Sequence, residues 1–121
     1  MAKKENLILR VVLIFLAILV FTFFDYLVHA SSDYLSVPSY YFKNKIIYGT
    51  FFACLASWIF RKVEIQKQAF LIAAITVGLL QINYILIGYP LMFHLIVVIE
   101  HLFFLYLATY FALRILKNKK N

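Results

Sequence analysis

Apolar residues run almost unbroken through four stretches of the chain, roughly Leu7–Phe24, Ile46–Phe60, Ala69–Gly88 and Leu91–Leu113, and the charged residues gather in the short breaks between them. A bilayer core about 30 Å thick is crossed by about 20 helical residues. The pattern predicts helices over about 6–29, 41–61, 67–87 and 91–115. The strictly apolar part of the second is short, about 22 Å as a helix, so its ends have to reach the headgroup zones.

The breaks predict how the helices connect. Ser31 to Asn44 is the longest connection, where Pro38 blocks a continuous helix and Ser31, Ser32, Asp33 and Ser39 supply turn chemistry. Val63-Glu64-Ile65-Gln66 forms a tight turn, and Gly88-Tyr89-Pro90 another, with Pro90 suited to the start of the fourth helix. Connections this short make neighbouring helices antiparallel. The expected fold is therefore all-α, an integral membrane up-down-up-down four-helix bundle, with residues 1–121 forming one transmembrane domain. Small residues spaced four apart, Gly49 with Ala53 and Ala74 with Gly78, are expected where backbones approach closely.

Composition agrees with this reading. Hydrophobic residues make up 65% of the chain, too many to coat a soluble globule of this size with polar surface. The formal net charge of +7 would suggest nucleic acid in a soluble protein, but no soluble basic surface remains once the helices are placed. The positions of the bases carry topology instead. Lys3, Lys4, Arg10, Arg61, Lys62, Lys67, Arg114, Lys117, Lys119 and Lys120 fall at one end of a four-crossing bundle, and only Lys43 and Lys45 at the other. This predicts a multi-pass cell-membrane protein with both termini cytoplasmic. Tyr26, Tyr34, Tyr40, Tyr41, Tyr48, Tyr84 and Tyr89 cluster toward the opposite, outer ends, at headgroup level. Residues 1–30 also resemble a secretory signal, with Val28-His29-Ala30 before Ser31. The extension of the apolar run back through Leu7–Leu9 and its richness in Phe favour a retained first helix. The single Cys54 excludes a CxxC pair or an internal disulfide.

Ionisable groups inside a membrane are costly, so they turn inward and find partners. This chain holds Asp25, His29, His94, Glu100 and His101 in its helices, with Gln81 and Asn83 as neutral companions. By helical rise, Asp25 and His94 lie roughly 6–8 Å inside the outer ends, and Gln81, Glu100 and His101 roughly 13–17 Å inside. The other half of the bundle holds few polar groups. An outward-facing polar pocket lined by Asp25, His94, His101, Glu100, Gln81 and Asn83 is expected. Asp25 and His29 are i,i+4 on one helix, and His94 and His101 are i,i+7 on another. Glu100 points about 120° away from His94, which places it outside the tightest cluster.

Three functions compete. Asp25, His29, His94 and His101 have the donor types for a divalent transition metal, to be bound or passed across the membrane. Haem between two histidines is a weaker form of the same idea. A membrane-embedded enzyme acting on a lipid or isoprenoid would use Glu100 and His101 as acid and base. A structural or accessory subunit would use all these groups only to fix helix register. A bundle this thin points to a homo-oligomer or a larger membrane complex as partner, besides the lipid bilayer.

Overall fold

The computed structural model describes residues 6–120. Lys3 and Lys4, counted above toward topology, lie outside the described residues. The chain forms four long helices: α1 (Leu7–Ala30), α2 (Tyr40–Ile59), α3 (Ile65–Ile87) and α4 (Leu91–Lys120), with a single 3₁₀ turn over Asp33–Leu35 between α1 and α2. α1, α3 and α4 are each long and apolar enough to cross a membrane. α2 carries Lys43, Asn44 and Lys45 near its start, and only the part after them is mainly apolar.

Each helix start has a local cause. Asn6 caps α1 by accepting the Leu9 amide at 3.1 Å, satisfying one of the donors that a helix leaves open at its start. Glu64 stands at the start of α3 in an extended conformation, and its carbonyl accepts the Gln68 amide at 2.7 Å. Ile65 and Gln66, expected from the sequence to lie in the turn, are thus the first residues of the helix. Gly88 ends α3 with φ of +91°, the left-handed conformation that side chains resist. Its amide reaches the carbonyls of Tyr84 and Ile85 at 3.2 and 3.1 Å. α4 runs past the expected end near residue 115, because Leu113 and Leu116 are still buried in the core and lysine is a good helix former.

α1 and α3 each pack against both α2 and α4, closing a four-membered ring. Arg10 near the start of α1 meets Ser57 near the end of α2, whereas Asp25 near the end of α1 meets Lys45 near the start of α2. Adjacent helices are therefore antiparallel. Ile14, Ile18, Phe21, Ala53, Ala69, Ile72, Ala73, Val77 and Leu105 fill the shared interior. Ala53 belongs to this core, but a methyl group added at Gly49 would meet Ile18 at an ordinary 3.6 Å. One added at Gly78 would meet nothing within 4 Å. Neither glycine is demanded by close backbone approach within the bundle, contrary to the small-residue expectation.

The surface and interior are inverted relative to a water-soluble protein. Ile8 is 76% exposed and Leu86 80%, in the company of Ile99, Phe103 and Phe111. Buried in their place are Arg10, Asp25, His29, Lys45, Gln68, Glu100 and His101. Soluble monomers do not expose apolar patches on this scale. Tyr26, Tyr34, Tyr40 and Tyr48 stand outside as expected, but Tyr41 and Tyr84 are buried and belong to the interior beside the polar cluster.

Candidate metal centre

Four ionisable side chains meet inside the bundle. Asp25 and His29 come from one face of α1, where i,i+4 spacing stacks them, and Glu100 and His101 come from α4. One donor atom from each lies within 4.8 Å of all the others. His101 Nε2 is 2.8 Å from Asp25 Oδ1, His29 Nε2 is 3.1 Å from the same oxygen, and Glu100 Oε2 is 3.3 Å from His101 Nε2. Asp25 and His101 are fully buried, at 0% exposure.

A fifth member was read from the sequence only as a surface charge. Lys45 of α2 is 3% exposed and extends its ammonium into the middle of the group. It donates a hydrogen bond to Asp25 Oδ2 and lies 3.3 Å from both His29 Nε2 and His101 Nε2. The rings of Tyr84 and Phe42 flank it at 5.3 and 5.4 Å, a cation–π setting. Its flexible stem lets a residue near the helix end deliver charge to the interior.

The surroundings fix the rings. His29 Nδ1 lies 2.5 Å from the Leu35 carbonyl, which can only accept, so this nitrogen carries the hydrogen. In neutral His29, Nε2 then presents its lone pair to the cluster. The Asp33–Leu35 turn makes this contact possible. Ser32 Oγ accepts the Leu35 amide at 3.3 Å, folding the chain back over the end of α1. Leu35 joins Tyr41, Tyr84, Phe93 and Val97 in a small core of its own, which covers the cluster. On the opposite side, Phe21 meets the His101 ring edge-on at 5.3 Å. In place of the expected outward-open pocket, the four ionisable side chains form a buried cluster.

The remaining sequence candidates fall elsewhere. His94 stands apart, with Nδ1 2.6 Å from Gln81 Nε2. It shares a helix face with His101, but seven residues separate the two by about 10 Å along the axis, too far for one ligand shell. Glu100 joins the cluster, because its long side chain reaches back beside His101 and the angle to His94 is irrelevant to that contact. Asn83 is exposed and lines an apolar cleft of about 340 Å³ between α2 and α3, whose wall includes Lys45. Asp33 is exposed in the turn after α1.

A second polar node lies near the other end, which the sequence presented as nearly apolar. Arg10, 4% exposed, donates to Ser57 Oγ and to Gln68 Oε1 at 3.0 Å, and Gln68 Nε2 donates to the Val63 carbonyl at 3.0 Å. This network ties α1, α2 and the start of α3 together. Between it and Asp25, α1 presents Ile14, Ile18 and Phe21 to the core.

The donors fit a metal ion in kind. Two imidazoles and two carboxylates form a borderline set suited to Zn²⁺ and its neighbours in the first transition row. A metal-binding histidine commonly donates its second N–H to a backbone carbonyl, as His29 does to Leu35. His101 Nδ1 is buried without a hydrogen-bond partner, and Glu100 makes only a long 3.3 Å contact with His101 Nε2, so donor capacity remains. Haem does not fit between the histidines, because Lys45 and Asp25 fill the space between the two rings. No family model, no curated protein and no solved structure matches the chain, so its site is read from its own geometry.

Proposed function

We propose that this chain is a four-helix integral membrane protein that binds a divalent transition-metal ion at Asp25, His29, Glu100 and His101, in exchange for the cation carried by Lys45. The convergence of these four buried donor groups within 4.8 Å supports this reading most directly. The inverted surface supports the bilayer as surrounding medium. Lys45 holds the position of a bound cation, and a metal ion and an ammonium at the same carboxylate repel each other. Metal entry therefore requires Lys45 to lose its proton or swing into the α2–α3 cleft that its side chain borders. The apolar stretch from Phe21 to Ile14 below the cluster favours a storage or sensing site over an open conduction path. The bases at the Arg61 and Arg114 end support cytoplasmic termini.

Titration of the metal-stripped protein with Co²⁺ tests this, because ligand-field absorption reports the donor set. One ion per chain is expected, with binding weakened at least tenfold in Asp25→Asn and His101→Ala and unchanged in His94→Ala. Lys45→Met should bind more tightly. If neither the natural chain nor Lys45→Met takes up Co²⁺ or Zn²⁺, the metal reading is wrong.

The cleft between α2 and α3 favours a second reading. It is lined by Tyr48, Phe52, Leu79 and Leu86 and ends at Lys45, which suits a lipid-like or isoprenoid molecule entering sideways from the membrane. Glu100 and His101 would supply the acid–base chemistry, behind Lys45 as seen from the cleft. Co-purification of a lipid displaced by Leu79→Trp, which narrows the cleft, would favour this reading over metal binding.

A further inference from the structure

A second cavity, of about 430 Å³, opens at the Arg10 end of the bundle, between the α2–α3 turn and the last turns of α4. Five of its lining residues are basic, Arg10, Arg61, Lys62, Arg114 and Lys117, and Glu64 is its one acid. Among the described residues, Arg61, Lys62, Arg114 and Lys117 make no ion pair with a carboxylate. Arg61 instead donates to the Trp58 carbonyl at 2.8 Å and lies over the Trp58 ring at 4.1 Å. Arg114 lies 6.0 Å from the Tyr110 ring centre. These contacts hold each guanidinium in place without neutralising it. The inner wall is built by the buried Arg10–Gln68–Val63 network, and the floor is apolar, from Leu113 and Leu116.

Arg61 and Arg114, without carboxylate partners among the described residues and set beside a concave wall, match the planar, multi-toothed recognition of phosphate oxygens. Positive charge used only to set topology needs no cavity, since a solvated side chain on a convex surface serves as well. The combination of a charged rim and an apolar floor fits a phosphate that carries a hydrocarbon or glycerol portion. We infer that this cavity is a phosphate-ester site, which seats the headgroup of one anionic phospholipid at the Arg10 end of the bundle. The site is remote from Asp25, and the inference stands whether or not that cluster binds metal.

Native mass spectrometry of the full chain, released from detergent with phosphatidylglycerol or phosphatidylcholine, provides the test. One phosphatidylglycerol per chain should be retained, at least tenfold in preference to phosphatidylcholine. Arg61→Gln with Arg114→Gln should abolish the preference; both side chains are exposed, so the fold should survive. Lys67→Gln with Lys119→Gln removes the same charge at the same end but outside the cavity, and should leave the preference intact. Equal loss in both double variants, or equal retention of the two lipids, would overturn the inference. Addition of sn-glycerol 3-phosphate identifies the source of the phosphate. If it competes off the lipid at comparable concentration, the phosphate-ester site stands with a soluble ligand; if it fails to compete, the bilayer supplies the ligand.

Discussion

At the scale of single residues, the cluster depends on one buried ion pair. Asp25 and Lys45 are both removed from solvent, and breaking a buried pair by deleting one partner costs about 3–5 kcal/mol, because the other charge is stranded. Lys45→Met and Asp25→Asn should each lower the midpoint of thermal unfolding of the metal-free protein in detergent. The double variant should lose less than the sum of the two; an additive result would show that the two groups do not interact. Zn²⁺ should restore the midpoint of Lys45→Met, since the ion replaces the lost positive charge. If the proposed metal uptake deprotonates Lys45, apparent affinity should rise about tenfold per pH unit for each proton released, measured between pH 6 and 8; an affinity independent of pH would show that Lys45 swings aside still charged. Asp25, His29, Glu100 and His101 were visible in the sequence because ionisable residues in apolar runs have few places to go. Lys45 was not, because its backbone sits in the first turns of α2 beside Lys43, where charge ordinarily faces outward. Only its stem length brings the nitrogen inside. Arg10 was hidden for the same reason. His94 illustrates the opposite error, in which a shared helix face was taken for a shared contact.

At the scale of elements, run length alone located all four helices, and their ends shifted by only a few residues where Ile65, Gln66 and Leu116 joined the helices. The 3₁₀ turn was unreadable, since its value lies in bringing one carbonyl to His29. Loss of its cap by Ser32→Ala should cost about 1 kcal/mol and weaken metal binding by freeing the His29 ring; unchanged Co²⁺ affinity would show that the turn merely covers the site. Gly88 is required by its positive φ, and Gly88→Ala should destabilise by at least about 1 kcal/mol. Gly49 carries no such demand. Gly49→Ala should be neutral or stabilising by up to about 1 kcal/mol, through the better helix propensity of alanine. A large loss of stability at Gly49, seen in the unfolding midpoint, would show that its contact with Ile18 cannot relax.

For the whole molecule, orientation can be read by labelling with a membrane-impermeant maleimide in a Cys54→Ala background. Lys43→Cys should react from outside intact cells and Lys67→Cys only after permeabilisation, in keeping with termini on the cytoplasmic side. The reverse pattern would overturn that topology. The burial of Lys45 leaves Lys43 as the one surface base at its end among the described residues, which sharpens the charge asymmetry on which this orientation rests. The pairing of Asp25 with Lys45 also has a bearing on biogenesis. In the proposed membrane setting a lone charge within an inserting helix would be costly, yet these two belong to consecutive helices and are only 20 residues apart in the chain. A nascent hairpin of α1 and α2, if it inserts as proposed, would thus carry its own neutralisation before the ribosome has made the histidine and glutamate of α4 that complete the cluster.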